Sequence, residues 1–422
     1  MPNRRHNWAI LCAGLNKDDR HAMIEITQYK GQKVAVVGLG RSGMAAAHAL
    51  QAGGAEVLAW DDNAEARARA EKAGFSTADP AQVDWSAIAA LVLSPGIPLT
   101  HPQPHPAARL AQEAGCPVIG DIELLYRAVP EATTIAITGT NGKSTTTALT
   151  GHILETAGLE VAVGGNLGLP VLELPKLDKD GIYVLELSSY QLDLLQDAAF
   201  DIAVLLNITP DHLDRHGDMD GYVAVKASLF DRLKGPKISI CGIDDEPSRM
   251  ICESLVREDQ PSPIAVSGTT PVASGVYAED GVLIEWPDRG RTSIDLTTIS
   301  TLPGTHNHQN AAAAYAAAHA AGVSSEDIER GLRSFPGLAH RQELVATIGD
   351  VSFVNDSKAT NPEAAARALS CYGNIYWIAG GRGKEGGLEA LTPYLGNIRH
   401  AFLIGEAAGL LAEKLGDKVP VT

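Results

Sequence analysis

Ala136-Ile137-Thr138-Gly139-Thr140-Asn141-Gly142-Lys143-Ser144-Thr145 is the stretch on which the reading of this chain turns. The apolar run Thr134–Thr138 predicts a buried strand, and the residues after Gly142 predict a helix. Between them lies the spacing of a phosphate-binding loop, with Ala136 at the opening position where Gly is usual. Gly139, Thr140, Asn141 and Gly142 are small enough for backbone N–H groups to approach phosphate oxygens, and the helix N-terminus adds partial positive charge. Lys143 is placed to bridge β- and γ-phosphates, and the Ser144 or Thr145 hydroxyl to reach Mg²⁺. A chance Gly-rich turn would have no reason to sit between such a strand and such a helix.

A second glycine loop lies upstream. Gly38-Leu39-Gly40-Arg41-Ser42-Gly43 follows the strand Lys33–Gly38 and precedes the helix Met44–Ala52, and Asp61 ends the next strand, Ala55–Trp60. This GxGxxG pattern in its strand–helix context predicts a diphosphate on a helix N-terminus. NAD, another diphosphate such as a nucleotide-sugar, or glycines serving only helix–strand packing all fit it. A helix at Ala64–Ala73, a strand at Ile88–Leu93 ending in Ser94-Pro95-Gly96, a Pro-rich loop, another helix and a strand at Pro117–Ile119 complete a βαβ rhythm, which predicts a parallel sheet. A short helix over Gly120–Tyr126 and then Pro130 mark a boundary. The second α/β unit carries strands at Ile182–Leu187 and Ile202–Ile208, a strand- and turn-rich region from Lys237 to Leu302, and an alanine-rich helix at Ala311–Ala321. After the linker Phe335-Pro336-Gly337, a third α/β unit begins near Glu343, with strands at Val351–Asn355, Ile375–Ile378 and His400–Ile404. Residues 417–422 open one more strand, and three strands are few for a parallel sheet covered on both faces.

The chain has 422 residues, enough for two to four domains at roughly 100–200 residues each. Its net charge of −17 argues against general binding to nucleic acid or anionic membranes, while leaving room for a locally basic site. The five cysteines are scattered without a CxxC pair, the pattern of reduced thiols in a cytoplasm. No stretch is long and apolar enough to span a bilayer. Arg4 and Arg5 before Trp8–Gly14 faintly resemble a signal peptide, but Asn16-Lys17-Asp18-Asp19-Arg20 follows instead of a small-residue cleavage site. Residues 1–22 are therefore expected to be a disordered extension, with Met23 opening the first unit.

Several loops at predicted strand ends carry chemistry. Glu186 ends an apolar strand beside the phosphate loop, where a Mg²⁺ ligand belongs. In Thr209-Pro210-Asp211-His212-Leu213-Asp214, His212 is either a metal ligand or a polar loop residue, and Asp211 or Asp214 can cap the next helix. Lys226 on the segment Gly221–Phe230 reads by itself as a solvated lysine. Asn361-Pro362 reads as N-cap and first helical residue, leaving Asp356, Ser357, Lys358 and Thr360 at a strand's carboxyl end, where α/β ligand sites sit. His340-Arg341 follows the linker, Arg341 facing a neighbouring unit's nucleotide. Gly380-Gly381-Arg382-Gly383-Lys384 is a basic loop. Each is equally readable as ordinary surface loop when taken alone.

Taken together, these pieces resemble the Mur ligases of peptidoglycan synthesis, and GDIELL at 120–125 and ELSSYQL at 186–192 favour the branch that adds D-glutamate. The other shared pieces are GLGRSG at 38–43, SPGIP at 94–98, TGTNGKST at 138–145, GGNLGLP at 164–170, DHLDRH at 211–216, GTHNHQN at 304–310, HR at 340–341 and NDSKATN at 355–361. The resemblance implies three domains: a Rossmann-like one over residues 23–130 for the UDP end of a sugar nucleotide rather than NAD, a P-loop ATP-binding one over 131–336, and a Rossmann-like closing domain over 337–422. It implies a cytoplasmic, monomeric ligase whose partners are ATP, two Mg²⁺ ions, UDP-N-acetylmuramoyl-L-alanine and D-glutamate. Lys143, Ser144 and Thr145 would hold phosphates and Mg²⁺, Glu186 the first Mg²⁺, and His212 with a carbamylated Lys226 the second. Gly38 to Gly43, Asp61, Ser94, Pro95, Gly96, Asn166 and Ser188 would face the sugar nucleotide. Asn307, Asn310, Arg341 and Asp356 would contact ATP, and His340, Lys358, Thr360 and Lys384 the incoming amino acid. Asn63 stands where some relatives carry a basic residue near the uracil. Relatives also continue past the position of Thr422 with a strand and a Ser-Pro-Ala loop near the D-glutamate side chain. The sequence thus predicts a third domain cut short and D-glutamate binding impaired, leaving a binding-only remnant as one alternative, a sister ligase as a second and an NAD-dependent oxidoreductase as a third. Replacing Lys143 with Ala is expected to lower ATP-dependent phosphate release by about 10³-fold or more, measured in a phosphate-release assay; retained turnover would contradict the phosphate-loop reading.

Overall fold

The computed structural model describes residues 24–258, 260–286, 293–382 and 388–422. The predicted extension over residues 1–22 and Lys384 lie outside the described residues. The first sheet comprises β1 (Lys33–Val37), β2 (Glu56–Trp60), β3 (Ser76–Thr77), β4 (Ile88–Leu93) and β5 (Val118–Ile119). Its order is β3-β2-β1-β4-β5, and every pairing is parallel. Helices on both faces explain why these strands read as near-continuous apolar runs. Val37 lies opposite both Trp60 and Leu93, so the carboxyl ends of β1, β2 and β4 are flush. That register brings Gly38, Asp61 and Ser94, far apart in sequence, to one edge.

The second sheet has nine strands: β6 (Thr133–Thr138), β7 (Val161–Gly165), β8 (Ile182–Glu186), β9 (Phe200–Leu205), β10 (Leu233–Gly242), β11 (Ile264–Ser267), β12 (Gly275–Glu279), β13 (Val282–Trp286) and β14 (Ser293–Asp295). The order is β14-β13-β12-β11-β10-β9-β6-β8-β7, parallel except where β13 and β14 turn back. Ile137 faces Glu186 on β8, and Thr138 faces Leu205 on β9, so the phosphate loop, Glu186 and the loop after β9 share one rim. Beneath this sheet runs the helix Thr305–Ala320, with Ala311 to Ala314 fully buried. Alanine lets this helix come close to the strands and to the helix Lys143–Thr156, which packs alongside it.

The first two units share one hydrophobic core, running from Ile24 and Val34 to Leu205 and Cys252. A buried carboxylate reinforces the join. Glu123, in the helix Asp121–Ala128, accepts from the backbone N–H of Gln196, Asp197 and Ala198 at 2.9, 3.1 and 3.0 Å and from Arg127 Nε at 2.8 Å. The sequence boundary at Pro130 is therefore a packed seam.

The third unit departs from the sequence expectation. β15 (Glu343–Ile348) pairs antiparallel with β16 (Val351–Asn355), and β17 (Ile375–Gly380) pairs parallel with β18 (Ile398–Ile404), as two separate sheets among the described residues. The expectation missed β15 because the hairpin signal is a single Gly349-Asp350 turn, with Gly349 at φ 59°. The helix Ser325–Ser334, capped by Ser324, was also not anticipated. The last residues pair alongside β18 in a parallel bridge: Ala401 N donates to Pro420 O and Leu403 N to Thr422 O, both at 2.8 Å. Glu123→Ala would strand three backbone donors, while Arg127 keeps Asp197 and the Tyr29 hydroxyl; the expected loss is about 3 kcal/mol in urea unfolding.

Candidate active site

Gly142 heads the helix Lys143–Thr156 at φ 85°, and a Cβ there would stand 2.2 Å from Asn310 Oδ1. Only glycine gives both the left-handed turn and the space. The loop is braced from the next strand's exit: Thr140 N donates to Asn207 O at 2.8 Å, and Asn141 N to Asn207 Oδ1 at 2.9 Å. Lys143 Nζ folds over the loop to donate to the carbonyls of Gly139 and Thr140, both at 2.8 Å.

Lys226 is not the solvated lysine that its sequence context predicts in isolation. It lies on the helix Met219–Asp231, is 1 % exposed, and its Nζ donates to Gly139 O at 2.9 Å. The Tyr222 ring faces it at 4.8 Å, and the Tyr222 hydroxyl lies 3.1 Å from Thr140 Oγ1. Burial first, then the nearby Lys143 charge, pushes the Lys226 amine well below the usual lysine range against the pull of Asp211 and Glu186. Burial lowers Lys143 too, opposed by Glu186 and Asp211.

Glu186 ends β8 at 2 % exposure. Its Oε1 accepts from Asn166 Nδ2 at 2.9 Å, while Oε2 is buried without a hydrogen-bond partner among the described residues. An orphaned carboxylate oxygen is costly unless something cationic meets it. With Ser144 close by in the loop, this fits a hard divalent cation such as Mg²⁺. No group of three His, Cys, Asp or Glu side chains among the described residues could hold a metal by itself, so a cation at Glu186 or at His212 would need ligands of other kinds. His212 is half exposed at φ 52°, 3.5 Å from Asp211 and with its ring 5.1 Å from that of Tyr190. Neither Asp211 nor Asp214 caps a helix, correcting that option; Asp218 does, accepting from Gly221 N at 2.9 Å.

A cavity on the far side of the loop is lined by Asn141, Thr145, Asn307, Asn310, Arg341 and Asp356, so the structure brings these together across two units. Arg341 Nη2 donates to Ser144 Oγ at 3.0 Å, and Asn310 Nδ2 to Asn307 Oδ1 at 3.0 Å. His306 and Gln342 line it as well, 3.1 Å apart, and sequence reasoning passed over both despite their places beside Asn307 and Arg341. Burial pushes His306 down to about 4, which keeps it neutral near neutral pH.

At the rim of the first sheet, Gly38 adopts φ 88° and its carbonyl accepts from Ser94 Oγ at 2.6 Å. Any Cβ on Gly43 would collide with that carbonyl. Asp61 accepts from Leu39 N at 2.7 Å and from Asn63 N at 2.8 Å, so it shapes the glycine loop; Asn63 itself caps the helix Ala64–Lys72. Arg41 reaches across the cleft to Gly168 O at 2.8 Å. Pro95 and Gly96 turn their carbonyls to Arg215. Ser188 is the N-cap of the helix Ser189–Leu192 in a capping box with Gln191, which engages its hydroxyl locally. His340, Lys358 and Thr360 stand exposed on the third unit. His340 Nδ1 meets Asn355 Nδ2 at 2.8 Å, and its carbonyl accepts from Lys358 N at 3.1 Å.

A phosphate loop flanked by a buried acidic strand end and faced by a second glycine loop defines a nucleotide-dependent α/β enzyme with a diphosphate-bearing co-substrate. Residues 137–318 match the Mur ligase middle domain family, and residues 3–102 match the NAD binding domain of D-isomer specific 2-hydroxyacid dehydrogenases. The chain is 50% identical over 400 residues to the UDP-N-acetylmuramoylalanine–D-glutamate ligase of Paramagnetospirillum magneticum, covering 95% of this chain and 87% of the relative. It is 52% identical over 404 residues to that of Rhizobium meliloti, covering 94% and 86%. Among solved structures, UDP-N-acetylmuramate-alanine ligase MurC from Thermotoga maritima is similar in fold, with TM-score 0.58 and 16% identity over 92% of this chain and 90% of that one. A pseudomurein peptide ligase type C from Methanothermus fervidus gives TM-score 0.55 and 17% identity over 93% and 88%. The chain belongs to the UDP-N-acetylmuramoylalanine–D-glutamate ligase family of Mur ligases.

Proposed function

We propose that this chain joins D-glutamate to UDP-N-acetylmuramoyl-L-alanine, using ATP with Mg²⁺. The observation that carries the reading is the convergence of Lys143, Lys226 and the half-partnered Glu186 on one rim, opposite the Gly38–Gly43 loop. ATP lies in the cavity of Asn307, Asn310, Arg341 and Asp356, its phosphates on the backbone of 139–145. The sugar nucleotide lies along Gly38 to Gly43, Ser94 to Gly96 and Asn166, within the first unit, 23–130, and its seam with the second, 131–336. The third unit, 337–422, supplies Arg341 and Asp356 and presents His340, Lys358 and Thr360 to the amino acid.

In the first step an L-alanyl carboxylate oxygen bonds to the γ-phosphorus as the bond to the β–γ bridging oxygen breaks, giving an acyl phosphate and ADP. In the second, the neutral D-glutamate amine bonds to the acyl carbon, loses a proton, and phosphate leaves. Lys143 neutralises charge on the transferring group, and Asn166, held by Glu186, orients the carboxylate. Mg²⁺ held by Glu186 with Ser144 or Thr145, and a second ion at His212, would screen the repulsion between carboxylate and triphosphate. The second ion needs another anionic ligand, and Lys226 can supply one. As a neutral amine it can add to CO₂, releasing one proton and leaving a carbamate.

Carbon-13 bicarbonate NMR should therefore show one lysine carbamate that Lys226→Ala removes. The signal should fade as pH falls, because the protonated amine cannot add to CO₂; no signal in active enzyme would exclude the carbamate. Phosphate release with UDP-N-acetylmuramoyl-L-alanine and ATP should require D-glutamate. Equal stimulation by L-alanine, L-lysine or diaminopimelate would point to a sister ligase, and binding of both nucleotides without turnover to a binding-only protein.

A further inference from the structure

Arg215 has no part in the chemistry above, yet its guanidinium makes three hydrogen bonds across the seam between the first two units. It lies on the single-turn helix Leu213–His216, three residues from His212. Its guanidinium donates to three successive carbonyls of the first unit: Nη1 to Gly96 O at 3.0 Å, Nη2 to Pro95 O at 3.3 Å and to Ile97 O at 3.2 Å. The plane stacks on the Tyr190 ring at 4.3 Å from its centroid. The same loop is tied back to the glycine turn by Ser94 Oγ on Gly38 O and by Ser94 N on Val37 O at 2.9 Å. Arg41 makes the reciprocal tie, from the glycine turn of the first unit to Gly168 O in the loop that carries Asn166. Two arginines thus cross the cleft in opposite directions, each ending on backbone.

We propose that Arg215 is a positioning residue that fixes the 94–98 loop relative to the phosphate and metal loops, and so sets the distance between the diphosphate end and the reacting end of the acceptor. The inference rests on the ligase reading for its effect on turnover, though not for the contact itself. Backbone carbonyls are the right target for such a device, because they report loop position independently of side-chain rotamers. Arginine is the right donor: a planar fork reaches several carbonyls and stacks on an aromatic at once, whereas a lysine is a point charge that can do neither well.

The experiment uses the full chain with Arg215→Lys and Arg215→Met. Hydrogen exchange by mass spectrometry should rise about fivefold or more in peptides covering 94–98 while those covering 134–145 stay as in the parent. The melting temperature and the Kd for a non-hydrolysable ATP analogue should be unchanged, and kcat should fall about tenfold or more, because misplacement of about 1 Å can cost up to about a hundredfold. Should either variant not fold, Tyr190→Leu, which removes the stacked ring and with it the packing on His212 and His216, is read by exchange alone and is expected to loosen the same peptides. Unchanged exchange at 94–98, or unchanged kcat, overturns the proposal. So does loosening spread over the whole chain with a fallen melting temperature, which makes Arg215 a general structural tie. Absence of turnover in the parent chain would instead fault the ligase reading, and the exchange measurement would still decide the positioning role.

Discussion

The carbonyl oxygen of Gly139 accepts from two lysines, Lys143 at 2.8 Å and Lys226 at 2.9 Å. Burial first, and then the neighbouring Lys143 charge, pull the Lys226 amine well below the usual lysine range, which favours its neutral form. Glu186 and Asp211 temper the effect without cancelling it. The arrangement depends on Gly139 at φ 150°, where a Cβ would crowd Leu206 and Asn207, and on the flush register of β6, β8 and β9.

That rim works only if the acceptor's other end is held at a fixed distance, and the first two units are joined accordingly. They share a core, Glu123 gathers three backbone donors and Arg127 at their seam, and Arg215 and Arg41 bridge the cleft above it. The third unit is attached differently. Its entry, His340 to Gln342, contains two non-glycine residues in the left-handed region, at φ 64° and 45°, and touches the phosphate loop through Arg341 on Ser144. Left-handed backbone at non-glycine residues is sustained by its surroundings: Asp356 accepts from Gln342 N, and Glu343 from His340 N. Two left-handed non-glycine residues thus lie where the nucleotide cavity meets the third unit, and a third, His212, heads the helix that carries Arg215 to the seam of the first two.

β1, β4, β6, β8 and β9 were legible as apolar runs because most of each strand is buried, whereas β3, β7 and the individual strands between 237 and 302 were not picked out, being short or partly exposed; Asn361 was legible as an N-cap, its Oδ1 accepting from Ala364 N at 2.7 Å. The phosphate loop and the glycine turn were legible because their chemistry is local: both are strand–turn–helix units whose residues act within one stretch. The hairpin of β15 and β16 was missed for want of a turn signal beyond Gly349. Asp211 and Asp214 looked like caps, yet the left-handed His212 shifts the helix start so that neither is placed to accept.

The sequence alone determined the alternating strand–helix rhythm of the first unit, the two phosphate-binding turns and the family, since these rest on contacts within a few residues or on whole motifs. Only the tertiary structure decided what Lys226, Glu186 and Arg215 are. Lys226 and Gly139 are 87 residues apart, and Arg215 and Gly96 are 119 apart. A lysine's proton affinity and an arginine's reach depend on what surrounds them in space, and the register of parallel strands sets that, not the neighbouring letters.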